Sequence, residues 1–114
     1  MVSNDFSVAV MVSDASRSAK WYREMLGFET EEEGHWVTAR PKGAGWKLHL
    51  CQGKLEPGNT GIGLYSKDLK SDVERMKKNG VKFAKDYTKT EWGGEIAQIE
   101  DLDGNVIWVS QGEP

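Results

Sequence analysis

Ser7-Val8-Ala9-Val10-Met11-Val12-Ser13-Asp14 is answered 54 residues later by Gly61-Ile62-Gly63-Leu64-Tyr65-Ser66-Lys67-Asp68. Each stretch is a short strand-like run closed by an aspartate suited to cap a helix. After the first cap, Ala15, Ser18, Ala19, Tyr22, Met25 and Leu26 recur at helical spacing until Gly27, which predicts a helix over Ala15–Leu26 facing a sheet. After the second, Leu69, Val73 and Met76 share a helical face before the stop Asn79-Gly80-Val81. Both units then run into further strand-like sequence, ending in His49-Leu50-Cys51 and Val106-Ile107-Trp108. A strand–helix–strands module used twice predicts an α+β fold with a curved sheet and a hollow, and the lining of that hollow carries the function.

The connections fill in around this repeat. Glu31-Glu32-Glu33 before Gly34 is expected in a solvated hairpin. Residues 35–40 and 46–51 read as paired strands joined by Pro41-Lys42-Gly43-Ala44-Gly45. The domain plan is a single domain over 1–114: module one about 5–52, a Gly- and Pro-containing linker over 53–59, and module two about 60–112. Within module two a short strand is expected at 81–84, a polar loop at 86–94 and strands at 95–100 and 106–110. Asp101-Leu102-Asp103-Gly104-Asn105 makes the tight turn between the last two.

Composition narrows the function classes. The 114 residues suit one domain, and five tryptophans supply large buried area per residue. A net charge of −3 with no basic stripe argues against nucleic acid and anionic membrane as partners. Met1-Val2-Ser3-Asn4-Asp5 has neither the basic nor the apolar region of a leader. The lone Cys51 has no partner for an internal disulfide, which fits a reducing cytoplasm.

Strand alternation separates two faces. Val8, Val10, Val12, Leu48, Leu50, Ile62, Leu64, Ile107 and Val109 form an aliphatic face to pack under the helices. Ser7, Ala9, Met11, Lys47, His49, Cys51, Gly61, Gly63, Tyr65, Val106, Trp108 and Ser110 form a mixed face, joined by Trp36, Thr38 and Arg40. A mixed face of this kind is either solvated or the wall of a ligand cavity.

The run Val8 to Asp14 with Ser18, Trp21-Tyr22 and Met25-Leu26-Gly27-Phe28 resembles the N-terminal signature of the vicinal oxygen chelate superfamily, the glyoxalase/bleomycin-resistance/dioxygenase group. Asp101-Leu102-Asp103-Gly104-Asn105-Val106-Ile107 resembles its C-terminal turn and last strand, with Leu102 where a proline is usual. The resemblance spans nearly the whole chain. It implies two tandem βαβββ modules forming a cup-shaped mixed sheet with helices on the outer face, commonly assembled as a homodimer.

The resemblance also implies four positions where metal-using members place His, Glu or Gln. Here they read Ser7, His49, Gly61 and Trp108. A divalent ion normally takes three or four protein donors. Glycine has no side chain, an indole N–H donates and does not ligate, and serine is a poor ligand. Cys51, two residues from His49, brings the donors to two. The expectation is therefore no metal, no cofactor and no assignable catalytic residue.

Two functions are weighed. The first is a metal-free protein holding a small, partly aromatic ligand in the cup, in the manner of antibiotic-sequestering members of the superfamily. Its contacts would be Met11, Trp36, Arg40, His49, Cys51, Tyr65 and Trp108. The alternative is a metal-dependent lyase, isomerase or dioxygenase acting on a small oxygenated substrate, which needs donors from a loop or a second subunit. Individual residues carry plainer readings beside these. Trp108 either stacks on a ligand or fills the hollow, and Cys51 is a small buried hydrophobe. Trp92 is a lid or simply exposed, Trp46 faces the core or a dimer interface, and His35 lies on the surface.

Overall fold

A computed structural model describes residues 6–112; the reading of Met1 to Asp5 lies outside them. The elements run β1 (Phe6–Val12), α1 (Ala15–Leu26), β2 (Glu29–Glu33), β3 (Trp36–Arg40), β4 (Trp46–Gln52), β5 (Gly58–Ser66), α2 (Leu69–Lys78), β6 (Lys82–Lys89), β7 (Glu95–Glu100) and β8 (Asn105–Gln111). The fold is α+β with two repeated βαβββ modules. Chain contacts divide it into two compact units, Met1–Glu56 and Pro57–Pro114.

In the first unit the strand order is β1-β4-β3-β2, with β1 parallel to β4 and the other pairs antiparallel. The helix begins where the sequence places it. Asp14 holds an extended backbone and its side chain accepts the Arg17 N–H at 3.1 Å. Gly27 ends the helix at φ 70°, a left-handed conformation that favours glycine, and its N–H reaches the Arg23 carbonyl. α1 packs on β2, β3 and β4. Val10, Val12, Val37, Ala39, Leu48 and Leu50 are buried, as are Ala19, Trp21, Tyr22 and Phe28. Trp21 and Tyr22 meet edge to face at 4.9 Å, so both belong to the core.

The second unit repeats the plan with order β5-β8-β7-β6 and β5 parallel to β8. Asp68 accepts the Ser71 N–H at 3.2 Å, and Leu69, Val73 and Met76 bury the inner face of α2 with Ile99, Ile107 and Val109. The buried Asp101 carboxylate organises the last turn. It accepts the backbone N–H groups of Asp103 and Asn105 and the Asn105 side-chain amide, all within 3.0 Å.

The acidic run lies in a solvated hairpin as expected: Glu31 to Glu33 belong to the exposed strand β2, with Gly34 and His35 turning. Three expectations are corrected. β6 runs on to Lys89 through residues read as loop, because register shifts after Phe83 and Lys85 break its alternation. β5 begins at Gly58, inside the stretch read as linker, because Gly58 pairs with Asn105. Cys51 is half-buried rather than buried, since it stands on the face away from α1.

Candidate functional site

In the first unit, pairing sets Ser7, Ala9 and Met11 beside Lys47, His49 and Cys51, and Thr38 beside His49. Glu29, Glu31 and Glu33 stand opposite Arg40, Thr38 and Trp36. All of them project from the side of the sheet that α1 does not cover. Trp36, two residues from Thr38, is the diagonal neighbour of His49, a distance aromatic side chains bridge. Their rings lie 4.1 Å apart between centroids and 30° from parallel. Trp36 is still 43% exposed, so one indole face remains available.

Residues of this face also reach two cavities, neither of them confined to it. One, of about 420 Å³, is lined by Ala15, Ser16, Gly34, His35, Val37, His49, Cys51 and Gln52. It lies where β3–β4 register pairing, confined to Thr38–His49 and Ala39–Leu48, has ended. The other, of about 490 Å³, is lined by Phe6, Ser7, Arg40, Gly45, Trp46 and Lys47. Arg40 therefore stands with a different cavity from His49 and Cys51, and its guanidinium lies 3.9 Å from the Glu29 carboxylate. Met11 lies along Gly53, its terminal methyl 3.0 Å from where a Cβ there would sit.

In the second unit, Gly63 and Gln98 flank Trp108 on the neighbouring strands, and Tyr65 and Ile96 flank Ser110. Tyr65 is 52% exposed and Trp108 half-buried. β5 is irregular here: its register with β8 shifts between Asn59 and Gly63. Within that shift, the Asn59 side chain accepts the Gly61 N–H, and Thr60 Oγ1 accepts the Ile62 N–H while donating to the Val106 carbonyl. Trp92 is exposed on the β6–β7 loop, its ring over Gly94.

The site residues read from the sequence thus divide by unit. Trp36 and His49 are brought into ring contact, Met11 and Cys51 into register, and Tyr65 and Trp108 onto one face. Sequence reasoning missed Glu29, Glu31 and Glu33, which alternation along a five-residue strand would have placed there. It also missed Gln98.

The donor set does not fit a divalent metal. Of Ser7, His49, Gly61 and Trp108, the four positions the resemblance implies, His49 alone carries a good ligand. Among the described residues no three His, Cys, Asp or Glu side chains gather to hold an ion.

Comparison with known proteins agrees with this scaffold. The family model described as the Glyoxalase/Bleomycin resistance protein/Dioxygenase superfamily matches residues 6–109. A solved member of that superfamily from Sphaerobacter thermophilus DSM 20745 superposes with a TM-score of 0.88 at 26% identity, covering 97% of this chain and 98% of that one. TnmS3, an antibiotic binding protein from Streptomyces sp. CB03234, gives 0.82 at 30% identity, covering 98% of each chain. The uncharacterized protein YetH of Bacillus subtilis (strain 168) is 29% identical over 97% of this chain and all of its own length.

Proposed function

Because the chain belongs to the glyoxalase/bleomycin resistance protein/dioxygenase superfamily, we propose that it is a metal-free binding protein for a small, partly aromatic molecule, with stacking and polar side chains on the open face of each sheet. Trp36, Tyr65 and Trp108 supply stacking surfaces. His49, Cys51, Met11 and Arg40 supply polar and soft contacts at their edges. The observation that carries this reading is the Trp36–His49 pair: a position that holds a ligand donor in metal-using relatives is here stacked on an indole with one face exposed. Apolar walls with few polar groups are what a small-molecule site requires. The likeness to an antibiotic binding protein at 30% identity supports the same class of ligand.

Titration with a panel of planar aromatic antibiotics, followed by tryptophan fluorescence, tests the proposal. Saturable quenching is expected, weakened about tenfold in Trp36→Leu, the scale of one lost stacking contact. Elemental analysis of protein purified without chelator tests the alternative. One divalent ion per chain, retained through His49, would replace this reading with a metal-dependent enzyme. We place the protein in the cytoplasm as a homodimer; light scattering at twice the 12.8 kDa chain mass checks the assembly.

A further inference from the structure

Two cations share the cavity at the turn end of β3 and β4. Register pairing of these strands stops at Ala39–Leu48. The next residue on each strand, Arg40 and Lys47, lines the space of about 490 Å³ that opens there. Like charges set side by side on neighbouring strands are destabilising unless something offsets them. Little in the first unit does. Glu29 stands opposite Arg40, but its carboxylate lies 3.9 Å from the guanidinium, beyond hydrogen-bond range, with both side chains partly in water. Lys47 is half-buried, and its ammonium has neither hydrogen bond nor ion pair among the described residues. No acidic residue lines the cavity, in a chain whose 18 acidic side chains outnumber its 15 basic ones.

The rest of the lining suits an apolar body. Phe6 and Trp46 pair at the first position of the β1–β4 ladder, and Phe6 is 60% exposed. Ser7, the register partner of Lys47, adds a hydroxyl that can donate or accept. One part of the cavity therefore offers aromatic surface and the other two cations with unspent donors. The planar fork of arginine matches a carboxylate with two parallel N–H bonds, and lysine adds a point charge. We propose that this cavity is an anion site of its own, which takes a small aromatic carboxylate with its charge between Arg40 and Lys47 and its ring against Phe6 and Trp46. Its volume lies in the range of small-molecule sites. The site goes beyond the binding-protein reading, which stands on the Trp36–His49 pair. The two share Arg40 and no other residue.

The probe is 2-naphthoate. Its controls are 2-naphthamide (the ring without the charge), acetate (the charge without the ring) and 2-naphthyl phosphate. Calorimetry reads affinity, and proton–nitrogen correlation spectra read position. Wild type should bind 2-naphthoate saturably below about 1 mM, the strength open to a ligand of this size. It should bind the amide and acetate about tenfold more weakly or worse, the scale of a lost charge-assisted contact. The Gly45 amide and Trp46 indole resonances should move, and the Trp36 indole should not. Lys47→Met, which keeps the apolar stem, and Arg40→Gln should each weaken 2-naphthoate about tenfold without lowering Tm. Trp36→Leu should leave it unchanged. Equal binding of carboxylate and amide, wild-type affinity in either cation variant, or shifts centred on Trp36 overturn the site. Preference for the phosphate ester overturns the assignment to a carboxylate. A lowered Tm in both cation variants overturns the site too, because the cations then serve the fold. If the antibiotic panel fails while 2-naphthoate binds as expected, the binding-protein reading falls alone; the reverse result removes this site alone.

Discussion

Gln111 Oε1 accepts the backbone N–H of Leu69 at 2.7 Å, tying the first turn of α2 to the end of β8. Gln52 does the same for Ala15 of α1 at 2.9 Å from the end of β4. The first N–H groups of a helix have no partner within it. In both units one is satisfied by the aspartate cap and another by a glutamine 42 or 37 positions away in sequence. Gln111 also donates to the Lys67 carbonyl at 2.7 Å. Gln111→Ala is expected to cost about 1 kcal/mol, the net value of such bonds. Urea unfolding measures the loss, and amide exchange should show the Leu69 N–H losing protection while Ala15 keeps its own.

Asp101→Ala should be more damaging. It leaves two backbone N–H groups and the Asn105 amide without the buried carboxylate that accepts them. A loss of about 2–4 kcal/mol is expected from unsatisfied buried donors. Asp101→Asn, which retains acceptors, should recover part of it, as thermal denaturation of the pair will show.

The two faces of each sheet should separate in mutagenesis. Leu48→Ala removes a fully buried side chain and should cost about 2–5 kcal/mol. Trp36→Leu, on the open face, should cost less than about 1 kcal/mol while weakening ligand binding. Equal destabilisation by the two variants would mean that the open face is part of the core.

Stability should also respond to pH at one hydrogen bond on each side of neutrality. The Lys77 ammonium, 2.7 Å away, and the Tyr87 N–H hold the Asp86 carboxyl below its ordinary value of 3.8. A lowered folded-state value adds stability above that ordinary value and loses it as pH falls through the lowered one. The hydrogen bond to Glu95 raises the Tyr87 phenol above 10.0, adding stability below that value that is lost as pH rises through the raised one. Asp86→Asn should therefore be less stable than wild type near neutrality and converge with it in strong acid. Tyr87→Phe should converge with wild type in strong base.

What could be read in advance follows from the range over which each signal acts. Asp14, Gly27 and Asp68 act within a turn, and the aliphatic alternation of β1, β4 and β8 acts within a strand, so helices and faces were legible. β2 was not, because glutamate has little strand preference and Glu29–Glu33 is held by its pairing with β3. The later part of β6 was hidden by its two register shifts. At the site, alternation put Trp36 and His49 on one face. That their rings touch depends on the Thr38–His49 pairing, and that Arg40 stands with another cavity depends on where β3 and β4 pair; neither is encoded locally.

β5 is the edge of its sheet, and an edge strand with free N–H and C=O groups is a template on which other chains assemble. Here the Gly61 and Ile62 N–H groups are already taken by Asn59 and Thr60, and left-handed glycines at 58 and 61 bend the strand out of a regular pleat. An incoming strand finds donors spent and spacing wrong along the middle of this edge. The irregularity that bares the backbone beside Trp108 also guards the sheet against fibrous aggregation.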